Sequence, residues 1–538
     1  MNNIIKAYKQ ETDIKSTKIV FMAAASGIAQ SCLICIISLV AETAYSSDLN
    51  FRYLLMYLIA FVIFFIGKRY TLFESISIVE KTLNKMRIRL SDKLRKTELT
   101  FIENIGKEDL NTKIQYNINV VSEYTPELVN GFQSLIVVIF CLIYIFILSF
   151  MGFLCTILTL GIAIAMYLSH EKTYNMKLRE TNELRTKFSK IFNDAIEGFK
   201  ELKLHQNKND KHFQKLKNQS KNIEQTNIDI NKLFAIDLMY SQITFFLLLA
   251  IIGFILPLYG EGNSQLIIHL IAAILFFIGP LGRVVGAIPQ IVKTNVSFEE
   301  MYELEELLDK SIHKDITIDK DKIIPVKEFE KIVFKDIVFH YGDKDEPMFS
   351  VGPINLTINQ GEVLLIAGGN GSGKSTLLKL ITTLYFPNNG QIFIDDVLLT
   401  KKLYPGYRSL FTAVFADFHL FDELYALDII DDEKVNKLLQ KMSLDKKTTV
   451  VNGKFTNIQL STGQRKRLAM VSSLIEDRSI FIFDEWAADQ DPIFKDYFYT
   501  VMLQELKKAG KTVVAVTHDD RYFHCGDRFI KMEYGQIV

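Results

Sequence analysis

The sequence predicts two fold classes in one chain: an α-helical domain with six membrane spans, followed by an α/β domain built on a parallel sheet around a P-loop. Three observations predict this. The 538 residues carry 49% hydrophobic residues and a mean hydropathy of +0.15, with the apolar residues crowded into the first part of the chain. That part holds apolar runs long enough to cross a bilayer, which needs about 20 residues in a helix. The remainder contains Gly368-Gly369-Asn370-Gly371-Ser372-Gly373-Lys374-Ser375-Thr376 between an apolar run, Val363 to Ala367, and a helical pattern, Thr376 to Leu384. This is the strand–loop–helix setting that the pattern G-x-x-x-x-G-K-[ST] requires.

The spans are expected near Ile19 to Ala41, Tyr53 to Gly67, Phe132 to Ser149, Gly152 to Leu168, Phe234 to Leu258 and Gln265 to Gly282. The leading polar segment, residues 1–17 with Lys6, Lys9 and Lys15, lacks the short apolar core and cleavage site of a secretory signal. It is also too short for a peptidase domain. The connections Glu42 to Asn50, Ser149 to Gly152 and Tyr259 to Ser264 contain no Lys or Arg, whereas Lys68 to Asn130 and Ser169 to Lys232 are rich in them. The positive-inside rule therefore places the long segments and both termini in the cytoplasm. Apolar residues at helical spacing (Ile88, Leu90, Leu94; Leu184, Phe188, Ile191) extend the spans as amphipathic rods. Turns between the rods are expected near Glu103 to Tyr116 and Arg185 to Ala195. Gln30, Gln242 and His269 lie within spans and Asp237 near a span end, positions that favour interhelix bonds over lipid contact. Cys32 and Cys35, spaced C-x-x-C in an apolar helix, read as packing residues.

The expected divisions are an N-terminal segment 1–17, a transmembrane domain 18–300, a charged linker 301–327 and an α/β domain 328–538. A formal net charge of zero gives no bulk electrostatic reason to bind nucleic acid.

In the α/β part, glycines let the loop from Gly368 to Gly373 curl with N–H groups inward around a triphosphate, at the positive end of the following helix. Lys374 is placed for the β- and γ-phosphates and the Ser375 hydroxyl for Mg²⁺. The strand Ile332 to Tyr341 ends in an aromatic ring suited to stacking on adenine. The run Ile480 to Phe483 reads as a buried strand delivering Asp484 to Mg²⁺, with Glu485 beside the γ-phosphate to activate water. Ser461 is a helix N-cap ahead of an apolar-periodic helix, a second anion site whose phosphate the sequence leaves open. His518 follows the strand Thr512 to Thr517 and is placed to touch the γ-phosphate.

Together these residues resemble the nucleotide-binding domain of an ATP-binding cassette (ABC) protein, and the six spans with long helical extensions resemble an exporter-type transmembrane domain. The resemblance implies an A-loop at Tyr341, Walker A from Gly368 to Thr376, a signature from Leu460 through Ser461, Gly463 and Gln464, Walker B at Asp484 with catalytic Glu485, a D-loop with Asp491, and a switch at His518. More narrowly, LSTGQRKRLA (Leu460 to Ala469), DEWAADQDP (Asp484 to Pro492) and GFKELKL (Gly198 to Leu204) are similar to the cyclic-peptide exporter family, which includes exporters of pyoverdine precursors, syringomycin and microcin J25.

That resemblance implies a homodimer that hydrolyses ATP with Mg²⁺. Each ATP is held between Walker A of one chain and the signature of the other, and alternating access exports a peptide or peptide-like compound such as a siderophore precursor. Within transport the rival reading is a lipid flippase. Outside it stands a membrane-anchored switch or gated channel, against which Glu485 and His518 argue. Three departures from the general ABC pattern matter. Thr462 replaces a signature glycine, Ala416 stands where a Q-loop glutamine is expected, with Asp417 as its substitute toward Mg²⁺, and Trp486 follows Glu485 in place of proline.

Overall fold

A computed structural model of the protein describes residues 17–43, 51–259, 264–312, 326, 328–342, 348–425 and 429–538. The expected N-terminal segment, most of the linker and two of the lysine-free connections lie largely or wholly outside them. The chain separates into two compact units, one formed by residues up to 95 with 102–310, the other by 96–101 with 311–538.

The first unit is helical. Its long helices are α1 (Thr17–Thr43), α2 (Phe51–Leu94), α4 (Lys107–Leu148), α5 (Phe150–Glu197), α7 (Gln206–Ala250) and α8 (Ser264–Ser311), with short α3 (Leu99–Ile105) and α6 (Phe199–Leu204) between them. Among the described residues six helices are long and apolar enough to cross a membrane. At about 1.5 Å per residue, the 48 residues of α5 far exceed a hydrocarbon core of about 30 Å, so the rods are continuous with the spans. Leu54, Leu55, Phe61 and Phe65 on α2 are exposed, an apolar surface that water would not tolerate and lipid does.

One turn falls where expected and the other does not. The first break, at Gly106 (φ 88°) between α3 and α4, lies within Glu103 to Tyr116. Helix α5 runs unbroken through Arg185 to Ala195, and the second break falls later, around α6, between Gly198 and His205. The C-terminal part of α8, from Phe298 onward, is acidic. It carries carboxylates that hold other helices: Arg89 of α2 meets Glu305 at 2.8 Å, Lys93 meets Asp309 at 2.7 Å, and Arg179 of α5 meets Glu299 at 2.7 Å. Asp237 pairs with His170 Nδ1 at 2.7 Å, the kind of interhelix bond expected for it. Cys32 and Cys35 are both free.

The second unit holds two sheets. One is antiparallel in the order β2-β1-β4-β5, from β1 (Lys331–Tyr341), β2 (Phe349–Asn359), β4 (Asn389–Ile394) and β5 (Val397–Leu398). The other is the central sheet, order β12-β11-β3-β10-β9-β6, comprising β3 (Val363–Gly368), β6 (Phe411–Val414), β9 (Ile480–Asp484), β10 (Thr512–Val516), β11 (Arg528–Glu533) and β12 (Gln536–Ile537). All its pairings are parallel except β11 with β12.

Why the central strands are apolar at every position follows from the pleat. Leu364, Ile366, Ile480, Ile482, Val514 and Val516 point into one core, against β1, β2 and the helix Lys374–Ile381, which is α9. Val363, Leu365, Phe481, Phe483, Val513 and Ala515 point into a second core on the opposite face. Covered on both sides, a parallel sheet has no polar face to alternate with. Its loops at the carboxyl ends of β3, β10, β9 and β6 gather along one edge, where ligands of open α/β sheets bind.

Candidate nucleotide site

Each predicted loop leaves one of those strand ends. Val516 pairs with Ile366 on one side and with Asp484 on the other, so the segments after β3, β10 and β9 are neighbours. The chain after β3 turns sharply. A Cβ on Gly368 (φ 155°) would stand 2.4 Å from the Met532 carbonyl oxygen, a backbone atom that has no room to move. Gly373 (φ 99°) then caps α9 in a left-handed conformation open to glycine, delivering Lys374, Ser375 and Thr376 into its first turn. Asn370 and Gly371 are exposed at the rim of the loop, with Gly371 also at positive φ (77°).

Lys374 is buried, its side chain 4% exposed. Its ammonium donates to the carbonyls of Gly368 (3.1 Å) and Gly369 (2.8 Å) and lies 3.8 Å from Glu485 Oε1. Burial pushes its pKa below the ordinary lysine value, while the Glu485 and Asp484 charges oppose that shift. A buried ammonium held by two loop carbonyls is a cation set to receive polyanionic oxygens.

Asp484, at the end of β9, is 2% exposed. Burial raises its carboxyl above the ordinary range, opposed by the neighbouring Ser375 hydroxyl, the Ala416 backbone N–H and the Lys374 charge. Its Oδ1 has no partner among the described residues. An orphaned buried carboxylate oxygen beside a serine hydroxyl fits a hard divalent cation that takes the rest of its shell from phosphate and water. No cluster of three or more His, Cys, Asp or Glu suited to a metal occurs among the described residues, as suits a cation with so few protein ligands.

Glu485 adopts the left-handed region (φ 50°, ψ 36°), uncommon for a side chain with a Cβ. His518 Nε2 lies 2.6 Å from its Oε1. His518, expected beside the γ-phosphate, stands beside the Glu485 carboxylate at the same sheet edge. Tyr341 is brought to α9, its hydroxyl 3.1 Å from Thr376 Oγ1 and 3.2 Å from the Tyr385 hydroxyl.

The signature segment is placed elsewhere. Ser461 and Gln464 form a capping box at the start of the helix Thr462–Glu476, Gln464 Oε1 accepting the Ser461 N–H at 3.3 Å. Gly463 is pressed against the D-loop: a Cβ there would sit 2.6 Å from the Asp489 carbonyl oxygen. Gln490 donates to the Gly463 carbonyl (3.1 Å), and Arg467 donates to Gln490 (2.8 Å) and Asp491 (2.5 Å). Asp491 caps the helix Pro492–Tyr497 by accepting the Phe494 N–H at 3.0 Å, which, with Arg467 beside it, lowers its pKa. Among the described residues, no hydrogen bond joins Ser461, Gly463 or Gln464 to the phosphate loop of the same chain.

Asp417 is exposed, and the group of its segment that acts on the Asp484 carboxyl is the Ala416 backbone N–H. Sequence reasoning also missed Lys466. Its ammonium, in a side chain 5% exposed, donates to the Glu485 carbonyl (2.8 Å) and meets Asp489 at 2.7 Å, while Trp486 Nε1 donates back to the Lys466 carbonyl (2.8 Å). The unusual Trp486 was the available signal: a buried indole needs an acceptor.

Comparison with known proteins follows this geometry. Residues 14–281 match the ABC transporter transmembrane region, and residues 351–488 match the ABC transporter family. ATP-binding protein SyrD of Pseudomonas syringae pv. syringae is 31% identical over 477 residues, 85% of this chain and 82% of SyrD. The probable syringafactin export ATP-binding/permease protein SyfD of Pseudomonas syringae pv. syringae (strain B728a) is 31% identical over 219 residues, 37% of this chain and 32% of SyfD. The structure of a bacterial Atm1-family ABC exporter with ATP bound shares the fold, with a TM-score of 0.78 over 100% of this chain and 94% of that one at 16% identity.

Proposed function

This chain belongs to the ABC transporter family, as an ATP-hydrolysing multi-pass membrane exporter, and from that premise we propose that it moves a peptide or peptide-like compound out across a bacterial inner membrane by alternating access. The peptide reading is supported by the LSTGQRKRLA and DEWAADQDP strings and by the likeness to SyfD, whose name refers to syringafactin export. The observation that carries the ATP-driven part is the convergence of Lys374, Glu485 and His518 at adjacent strand ends beside the orphaned Asp484 Oδ1.

In this proposal Gly368, Asn370, Gly371, Gly373 and Thr376 shape the cradle, and the Lys374 ammonium leaves its two loop carbonyls for the β- and γ-phosphate oxygens. Ser375 and Asp484 hold Mg²⁺, which when bound neutralises developing phosphate charge. Glu485, steadied by His518, takes the proton of the attacking water. Tyr341 presents its ring to the adenine.

Ser461, Gly463 and Gln464 meet no phosphate in their own chain, which supports a homodimer in which they close over the partner's ATP. ATP then favours the closed pair because both chains bind it, and hydrolysis removes the shared ligand. Both termini and the basic rods face the cytoplasm, as the lysine and arginine distribution supports. The chain divides functionally into residues 18–300, which carry the substrate path, and 328–538, which bind ATP. The test is the ATPase rate of the purified chain with short peptides against membrane lipids. Stimulation by peptides supports the proposal; stimulation by lipids alone refutes it in favour of a flippase.

A further inference from the structure

Toward the polar ends of α4, α5, α7 and α8 lies a cavity of about 410 Å³, within the range of ligand pockets, which includes Tyr116, Glu123, Tyr124, Arg185, Asn231 and Lys293 in its lining. Its two cations are held unusually. Elsewhere in the same helical unit Arg89, Lys93, Lys177 and Arg179 each meet a carboxylate at 2.5–2.8 Å. Arg185 and Lys293 make no such pair among the described residues, although Glu123 lines the same cavity. Arg185 donates to the Tyr116 hydroxyl and lies 5.2 Å over the Tyr116 ring; Lys293 lies 5.0 Å over the Tyr124 ring.

Ring faces compensate a cation only in part, and less than a carboxylate does. Both cations are half-buried in one concavity and each is backed by an aromatic wall; the Glu123 and Glu127 carboxylates act on Lys293 through space, but among the described residues neither cation has a carboxylate in direct contact. The guanidinium fork matches a carboxylate in two-point geometry. The amides of Asn227 and Asn231 in the same lining supply donors and acceptors for peptide bonds.

We propose that this cavity is a docking site for the cargo, in which Arg185 and Lys293 anchor a carboxylate of a peptide-like compound between the Tyr116 and Tyr124 rings. The proposal rests on the peptide reading above and adds the charge class of the substrate. It also places first contact on the polar rods, among residues the lysine and arginine distribution assigns to the cytoplasmic side.

The experiment uses the full chain in phosphatidylcholine nanodiscs and three probes: a fluorescent short peptide with a free C-terminal carboxylate, the same peptide as its C-terminal amide, and a fluorescent small dicarboxylate. Equilibrium binding is read by anisotropy for the wild type, Arg185→Gln/Lys293→Gln, and the charge-keeping Arg185→Lys/Lys293→Arg. The expected result is at least about tenfold tighter binding of the acid than of the amide, abolished in the glutamine variant and retained in the charge-keeping one. Equal binding of acid and amide by the wild type, or a preference that survives in the glutamine variant, overturns the site while leaving peptide recognition standing. Cation-dependent binding of the dicarboxylate with no binding of either peptide keeps the anion site and overturns the peptide reading. Absence of all binding overturns both. Loss of acid binding on adding phosphatidylglycerol to the discs overturns the cargo assignment in favour of a lipid headgroup.

Discussion

Replacing Lys466 by methionine removes an ammonium but keeps the length of the side chain. In the native chain that ammonium donates to the Glu485 carbonyl at 2.8 Å, and Glu485 occupies a left-handed conformation that its surroundings must enforce. A hydrogen bond from a charged group contributes about 1.5–3 kcal/mol. The Glu485 carbonyl keeps a second donor, the Ala488 N–H at 3.2 Å, so the lower end applies. At 1.36 kcal/mol per tenfold, a loss of about 1.5 kcal/mol in carboxylate positioning lowers kcat by about tenfold. Lys374 and the glycine cradle are untouched, so the KM for ATP stays within about twofold. The assay is steady-state phosphate release by the full chain in nanodiscs, with Lys466→Gln, which keeps a donor, recovering part of the rate. A kcat for Lys466→Met equal to the wild type's, or a raised KM at unchanged kcat, refutes the claim that this bond positions the catalytic carboxylate.

Four further outcomes follow from the same geometry. Gly463→Ala drives a Cβ to within 2.6 Å of the Asp489 carbonyl oxygen, so it displaces the D-loop and abolishes ATPase activity while leaving ATP binding to the isolated cradle measurable by a fluorescent analogue. Asp484→Asn removes a charge whose burial raises its pKa; the folded carboxyl holds its proton more tightly than the unfolded one, so its ionisation above that range costs stability. The variant should therefore unfold at an equal or higher temperature than wild type without ligand at neutral pH, yet lose the Mg²⁺-dependent part of the thermal shift given by ATP, read by scanning fluorimetry. Trp486→Phe removes the indole donor from the Lys466 carbonyl, which keeps its intrahelical N–H, and destabilises the chain by about 0.5–1.5 kcal/mol, read by denaturant unfolding. Tyr341→Ala raises the KM for ATP more than it lowers kcat, because its hydroxyl meets Thr376 and Tyr385 and not the reacting end of the site.

The parts of the protein that a sequence pattern can express were legible. Six apolar runs, a strand–loop–helix with GKS, and apolar strands ending in acids each reflect one segment's own chemistry. What was not legible depends on pairs far apart in the chain. In the 413–418 segment the group that acts on the Asp484 carboxyl is the Ala416 backbone N–H, which no side-chain pattern expresses. Lys466 donates to the Glu485 carbonyl across 19 positions and Trp486 donates to the Lys466 carbonyl across 20, and none of the three residues alone announces the others. The second turn between rods falls at Gly198 rather than within Arg185 to Ala195, because the helical pattern of α5 offers no earlier stop. The acidic residues after the sixth span find their partners, Arg89, Lys93 and Arg179, on helices far away in the sequence.

The central claim, ATP-driven export of a peptide-like compound, is tested most directly by transport in proteoliposomes carrying outward-facing nucleotide-binding domains. A mixture of short linear and cyclic peptides is supplied outside and the lumen is assayed by mass spectrometry, with wild type beside Glu485→Gln. The account predicts that at least one peptide accumulates inside above its external concentration, only with Mg²⁺ and ATP and only in the wild type. Lumenal peptide that never exceeds the outside concentration, or accumulation that persists in Glu485→Gln, contradicts it.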